Sequence, residues 1–261
     1  ATHNFSPRIG LAWTPSSRWV LRAGYGIFFD RYILADLAQA VDMNGSQGFV
    51  QVADGSAAAN LFLAAQGGSQ VSPSPGIAPS IFRSDPRMAT PYSQQASAGV
   101  EHELAKNLSV RADFLFVRGT NLARTLNINL LPPVVLTPVN AASLGVANPT
   151  LQQIGRDVFS PGRVNPAFDA IYQLSNSATS TYKGISFTLN RRMNDELAFS
   201  ASYTLSRTVD DASDFNEQPQ NPFLLKAENA LSLQNQLQRF VFNALWELPI
   251  GDEEDSHLGD F

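Results

Sequence analysis

At 261 residues, with a net charge of −5 and 44% hydrophobic residues, the chain has room for one large or two small domains and is too apolar to be disordered. The absence of cysteine excludes a disulfide scaffold, cysteine-ligated zinc and thiol catalysis. Its 18 Lys and Arg lie scattered in an acidic chain, which argues against a nucleic-acid partner. Only 16% of residues are charged, against about 25% in ordinary soluble domains.

A spanning helix does not explain the low charge. The longest uncharged stretches, 55–82 and 125–155, are broken by Pro, Gly, Ser and Asn, and neither supplies the roughly 20 apolar residues a helix needs. Ala1-Thr2-His3-Asn4 has neither a basic start nor an apolar run, so no secretory signal is expected there, and the chain reads as an excerpt of something longer.

Period-two alternation is the dominant signal, and it recurs along the chain. The first strand is expected at 5–14, with Ile9, Leu11 and Trp13 on one face, followed by a tight turn at 14–18. The second, 19–30, sets Trp19, Leu21, Ala23, Tyr25, Ile27 and Phe29 against Val20, Arg22, Gly24, Gly26, Phe28 and Asp30. A long segment, 31–92, follows, with short rim helices expected at 33–38 and 61–65. Strands at 93–104 (Ala96, Ala98, Val100) and 108–118 (Leu108, Val110, Ala112, Phe114, Phe116) flank a turn at Lys106-Asn107. After a long, structureless 119–181 come strands at 182–192 and 197–207, joined at Asn194-Asp195, then a long 208–238 and a last strand at 239–248.

Strands of about ten residues suit a tilted membrane crossing, which takes about 9–11. The face opposite the apolar one is Ser, Thr, Asn and Gly with few charges, which suits a wet lumen better than a soluble sandwich. Short turns alternating with very long connections give the layout of an outer-membrane barrel, with periplasmic turns and extracellular loops. The fold class expected is therefore all-β: a segment of a large antiparallel transmembrane β-barrel. Trp13, Trp19 and Trp246 all fall near the short-turn end, as an interfacial girdle requires, while Tyr25, Phe28 and Phe29 mark the other rim. Phe114, Phe187, Phe199 and Phe242 are expected to face lipid, and Asp113, Thr188, Ser200 and Asn243 the lumen.

Several runs then resemble a known family. Asn4-Phe5-Ser6-Pro7-Arg8-Ile9-Gly10-Leu11-Ala12-Trp13 and Val20-Leu21-Arg22-Ala23-Gly24-Tyr25-Gly26-Ile27-Phe28-Phe29-Asp30-Arg31 resemble barrel strands of TonB-dependent receptors. The similarity is to the Oar-like group, whose N-terminus bears a carboxypeptidase-regulatory-like domain. Thr90-Pro91-Tyr92-Ser93-Gln94-Gln95, Ser202-Tyr203-Thr204-Leu205-Ser206-Arg207-Thr208-Val209-Asp210-Asp211 and Trp246-Glu247-Leu248-Pro249-Ile250-Gly251 extend it. The resemblance implies a plugged barrel of about 22 strands and TonB-powered uptake of a nutrient across the outer membrane of a Gram-negative bacterium. It further implies as partners the outer-membrane lipid, the remainder of the barrel and its plug, and the TonB complex, reached through an N-terminal part. This sequence departs from the full family pattern in having no plug domain, no recognisable TonB box and only about seven strands, which cannot close alone. Phe261 resembles the terminal aromatic of outer-membrane proteins, but the residues before it do not alternate, so truncation is expected.

No catalytic chemistry is legible. There is no Gly-x-Ser-x-Gly elbow and no phosphate-binding loop. Gly24-x-Gly26 lies within a strand; His3, His102 and His257 are far apart; and Asn107-Leu108-Ser109 is a sequon by accident on a periplasmic turn. The acidic run Asp210-Asp211-Ala212-Ser213-Asp214-Phe215-Asn216-Glu217 has carboxylates dense enough for calcium but the wrong spacing for an EF-hand, and it reads as a solvated loop start. Asp252-Glu253-Glu254-Asp255 reads as a solvated turn. Lumenal charges (Arg22, Glu101, Arg111, Asp113, Arg191) are expected to pair across strands. The expectation is a non-enzymatic transport segment with no catalytic, cofactor-binding or metal-binding residues and an unknown ligand. The alternatives are a surface or adhesion barrel and, behind it, a passive porin.

Overall fold

The computed structural model describes residues 4–31, 34–52, 55–67, 76–194 and 197–247. Wherever the alternation is strong, the chain is extended. The strands and helices, in order, are β1 (Arg8–Ser16), β2 (Trp19–Phe29), α1 (Leu34–Asp42), α2 (Gly55–Gln66), β3 (Ile81–Ser84), β4 (Tyr92–Ala105), β5 (Leu108–Asn127) and β6 (Val134–Val135). They continue with β7 (Asp157–Val158), β8 (Ile171–Asn194), β9 (Leu197–Asp210), β10 (Ala230–Leu231) and β11 (Gln238–Trp246).

The seven long strands form an antiparallel meander in chain order, β1-β2-β4-β5-β8-β9, with β11 on the far edge of β9. β1 and β11 do not pair with each other, so the sheet is open. Neighbouring long strands at the short-turn end are joined through Ser17-Arg18 and through Lys106-Asn107, where Asn107 takes φ 67°. Asn tolerates this left-handed conformation because its short side chain bonds locally, so a two-residue reversal is possible without glycine. No helix among the described residues is long and apolar enough to cross a membrane, which says nothing of crossing by strands.

Three expectations are corrected. β1 starts at Arg8, so Phe5, Ser6 and Pro7 lie outside it. β5 runs on to Asn127 and β8 begins at Ile171, so the hairpin they form stands far beyond the expected ends at 118 and 182. The 119–181 connection is also not structureless, since 128–170 holds the β6–β7 ribbon; in 31–92 helices stand where short rim helices are expected, as α1 and α2, each longer than expected and with β3 added. Leu248, Pro249-Ile250-Gly251, Asp252-Glu253-Glu254-Asp255, Phe261 and the Asp195 turn lie outside the described residues.

The buried apolar residues are not under the sheet. Leu136, Ala141, Ala170, Leu174 and Ala178 all belong to the outer part of the β5–β8 hairpin and its connection. There β3 pairs in parallel with Ile171–Leu174 of β8, on the edge left open where β9 has not yet begun to pair, and Phe82 packs against Tyr172 at 4.8 Å. The fully buried Asn129 ties the connection together: its Nδ2 donates to the carbonyls of Asn165 (3.1 Å) and Phe168 (2.7 Å), and its Oδ1 accepts from the Asn165 N–H (2.8 Å). The molecule is thus a sheet exposed on both faces with a folded cap at its long-loop end.

Candidate functional site: lumenal face and outer cap

Cross-strand register sorts the side chains onto two faces, because directly opposed residues point the same way. One row, Trp13, Leu21, Val100, Ala112, Phe187, Tyr203 and Phe240, runs across all seven long strands. Its members are apolar apart from one hydroxyl, and Phe240 is 67% exposed. The adjacent row on the other face reads Ala12, Arg22, Gly99, Asp113, Ser186, Thr204 and Arg239. Phe114 and Phe242 share the apolar face with Phe187, and Phe199 stands 6.3 Å from Phe242. Trp13, Trp19 and Trp246 sit on that face at the short-turn end, Trp19 stacked on His102 at 4.1 Å.

The polar face is internally paired. Arg22 binds Glu101 at 2.9 Å on the neighbouring strand, and Arg111 binds Asp113 at 2.6 Å along its own. Hydroxyls bridge β8 and β9 at Ser186–Thr204 (2.8 Å) and Thr188–Ser202 (3.2 Å). Gly99 lets the Asp113 carboxylate lie against the backbone, where a Cβ would collide with it. Tyr182 folds over Gly184, and Phe28 over Gly26, with the Arg8 guanidinium 4.5 Å above the Phe28 ring. The Gly24-x-Gly26 run is therefore used for close packing, as glycine within a strand often is. Phe28 thus lies on the polar face, with Arg22 and Gly24, at the long-loop end of β2.

Arg191 also departs from expectation. It is opposed to Leu108 and Phe199, which places it on the apolar face near the short turns. A long side chain can hold its aliphatic stem in the apolar layer and its guanidinium at the interface.

In the cap, Arg124 is fully buried and joins three segments. Its Nη2 donates to the Asp211 carbonyl at 2.6 Å, and the Asp211 carboxylate accepts from the Thr179 N–H (2.7 Å) and Oγ1 (2.9 Å). Arg124 Nη1 is 4.0 Å from Asp211 Oδ1, and neither Nε nor Nη1 has a hydrogen-bond partner. The acidic run is thereby dispersed: Asp210 accepts from Ser213 Oγ (3.0 Å), Glu217 from the Ser213 N–H (2.6 Å) and Asp214 from the Asn216 N–H (3.3 Å). Its carboxylates are taken up by backbone and hydroxyl donors, with Asp210 and Glu217 both on Ser213. Among the described residues, no group of three or more His, Asp or Glu is placed to hold a metal; His3 and His257 lie outside them. A cleft of about 440 Å³ opens at the rim between Asp30, Arg31, Leu122, Ser213, Asp214 and Gln234.

The sequence profile of the family described as "Outer membrane beta barrel domain" matches residues 1–258. The chain belongs to this outer-membrane β-barrel family. Its apolar face therefore borders the lipid of the Gram-negative outer membrane, and its polar face the lumen. Among solved structures, the outer membrane transporter YddB from Escherichia coli matches at 10% identity and a TM-score of 0.52, over 93% of this chain and 26% of that one. The ferric enterobactin receptor PfeA of Pseudomonas aeruginosa matches at 15% identity and 0.45, over 78% and 22%. The siderophore receptor PirA of the same species gives 12% and 0.38, over 79% and 30%. The β-barrel chain thus spans about a quarter of the transporter it resembles in fold. No curated protein sequence matches it.

Sequence reasoning missed Arg124, Asn129 and Thr179, all in the segment read as featureless. The available signal was the recurrence of Asn at 127, 129 and 140, a residue that bonds neighbouring backbone where regular ladders stop.

Proposed function

We propose that the chain is part of the barrel of a TonB-dependent outer-membrane receptor, of the Oar-like group, that takes up a nutrient actively. The observation that carries this reading is the asymmetry of the sheet. A folded, hydrogen-bonded cap stands at one end of a polar lumenal face, while the other end has only tight turns. Outer-membrane barrels in general have longer loops outside than inside; what favours a receptor here is that the loops are folded around buried residues of their own, a fixed surface on which a solute can be captured. The fold likeness to an outer membrane transporter is consistent with this. In this reading the cap faces outward, and the lumenal ladder from Arg22 to Asp113 lines the wall against which a plug would sit.

The test is binding between the membrane-inserted protein that carries this segment and the purified periplasmic domain of TonB from the same bacterium. Saturable binding is expected. No binding by a preparation that runs as folded, heat-modifiable barrel would overturn transport in favour of a surface or adhesion protein.

A further inference from the structure

The lipid-facing side carries a cluster of cations at its outer edge. Lys183 and Arg207 are directly opposed on β8 and β9, and Lys183 is opposed on its other side to Phe116 of β5. Arg118, two residues beyond Phe116, shares its row with Gln94 and Thr181. All three cations are exposed, and among the described residues none has an ion pair or a side-chain hydrogen bond. Lumenal Arg22 and Arg111, by contrast, are each matched by a carboxylate. Like charges set directly opposite on a sheet repel at close range, and an anion lying between them removes the penalty.

The cluster's height on the sheet is set by the strand. Lys183 and Arg191 bracket Ile185, Phe187 and Leu189 on one face of β8. Eight residues make about 27 Å of strand, or about 20 Å of height at a tilt of about 40°. Snorkelling of the two long side chains supplies the rest of a band about 25 Å tall. The cations therefore lie where lipid headgroups begin. Below Arg118 and to the β4 side of Lys183, on the same face, a groove of about 420 Å³ has a floor of small residues, Ala23, Ala98 and Ala112, and walls that include Trp13, Phe114 and Ile185.

We infer that Arg118, Lys183 and Arg207 bind the phosphorylated headgroup of an outer-leaflet lipid, with an acyl chain lying in the groove below. Guanidinium groups bind phosphate oxygens in pairs, and the ammonium adds a point charge. The inference rests on the outward orientation of the cap in the reading above, but not on transport.

The test places the membrane-inserted protein in phosphatidylcholine nanodiscs containing either bis-phosphorylated lipid A or the same lipid dephosphorylated, and counts retained lipid by native mass spectrometry. Retention of the phosphorylated form alone is expected, and inorganic phosphate at millimolar concentration should not displace it. Each single change, R118Q, K183Q or R207Q, should weaken retention about fivefold, from about 1 kcal/mol per cation near a charged lipid surface. The triple variant should lose it, while R191Q, at the other edge, should not. Equal retention of both lipids, or unchanged retention by a folded triple variant, would overturn the site. If the triple variant does not fold, the dephosphorylated lipid on the unaltered protein decides alone. Displacement by inorganic phosphate would mean that a free anion, not a lipid, is bound. Lipid retention without TonB binding would leave this site standing and remove only the transport reading.

Discussion

Phe187 stands midway between Lys183 and Arg191 on the lipid face of β8, and Ser200 on the lumenal face of β9 opposite Asn190 and Asn243. A cation at mid-membrane on the lipid side costs about 2–4 kcal/mol, and near either interface about 0–1. Phe187→Arg should therefore lower folding stability by about 2–4 kcal/mol in urea titrations with lipid vesicles. Phe199→Arg, already beside Arg191, should cost less, and Ser200→Arg least. Equal costs at all three positions would show that the register is wrong. Arg191 teaches the complementary point: a charge can share the apolar face provided it stands at the edge.

At the level of elements, the turn and the cap make separate contributions. Asn107 holds φ 67°, so a β-branched residue there would be strained by about 1–2 kcal/mol, whereas glycine would not. Asn107→Val should lower stability by that amount and Asn107→Gly leave it nearly unchanged, as read by the same urea titration. In the cap, Asp211 accepts from Thr179 twice and lies beside the buried Arg124 guanidinium. Asp211→Ala leaves that cation without a counter-charge, at a cost of about 3–5 kcal/mol. The loss should be local. Amide exchange should rise in the outer parts of β5 and β8 around Arg124 and Thr179 and in the loop that follows Asp210, and stay low in the membrane portions of β5, β8 and β9. Equal acceleration throughout would mean that cap and sheet unfold as one unit, against the separation seen in the fold.

For the molecule as a whole, orientation and closure are both testable. The chain has no cysteine, so single thiols report cleanly. Val139→Cys, at a cap residue 93% exposed, should react with an impermeant maleimide on intact cells, and Lys106→Cys only after the outer membrane is opened. The reverse pattern would invert the topology. The sheet ends at β1 and β11 without closing, and one face is apolar between the cations at its two edges, so residues 1–261 expressed alone in plain buffer should aggregate. A monodisperse, cooperatively melting monomer on size exclusion and circular dichroism would contradict the membrane assignment.

Within the hydrocarbon band, sequence alone determines nearly everything about this chain. Lipid on one side and water on the other force strict alternation, and β9 from Phe199 to Leu205 shows it in every residue. The strands, their faces, the tight turns and the placement of all three tryptophans follow from that constraint. Beyond the band, water is on both sides and the constraint lapses. The outer halves of β5 and β8 mix scattered apolar residues (Leu122, Leu126, Ile171, Leu174) with a majority of polar ones and keep no clean alternation, so their local pattern did not mark them as strands. Only tertiary structure decides there: β3 arriving from a distant connection, Asn129 bonding residues 36 positions away, and Arg124 reaching Asp211 across 87. The same holds for the cation cluster on the lipid face. Each of its members is an ordinary charged residue in sequence, and it is the register of β5, β8 and β9 that sets them side by side.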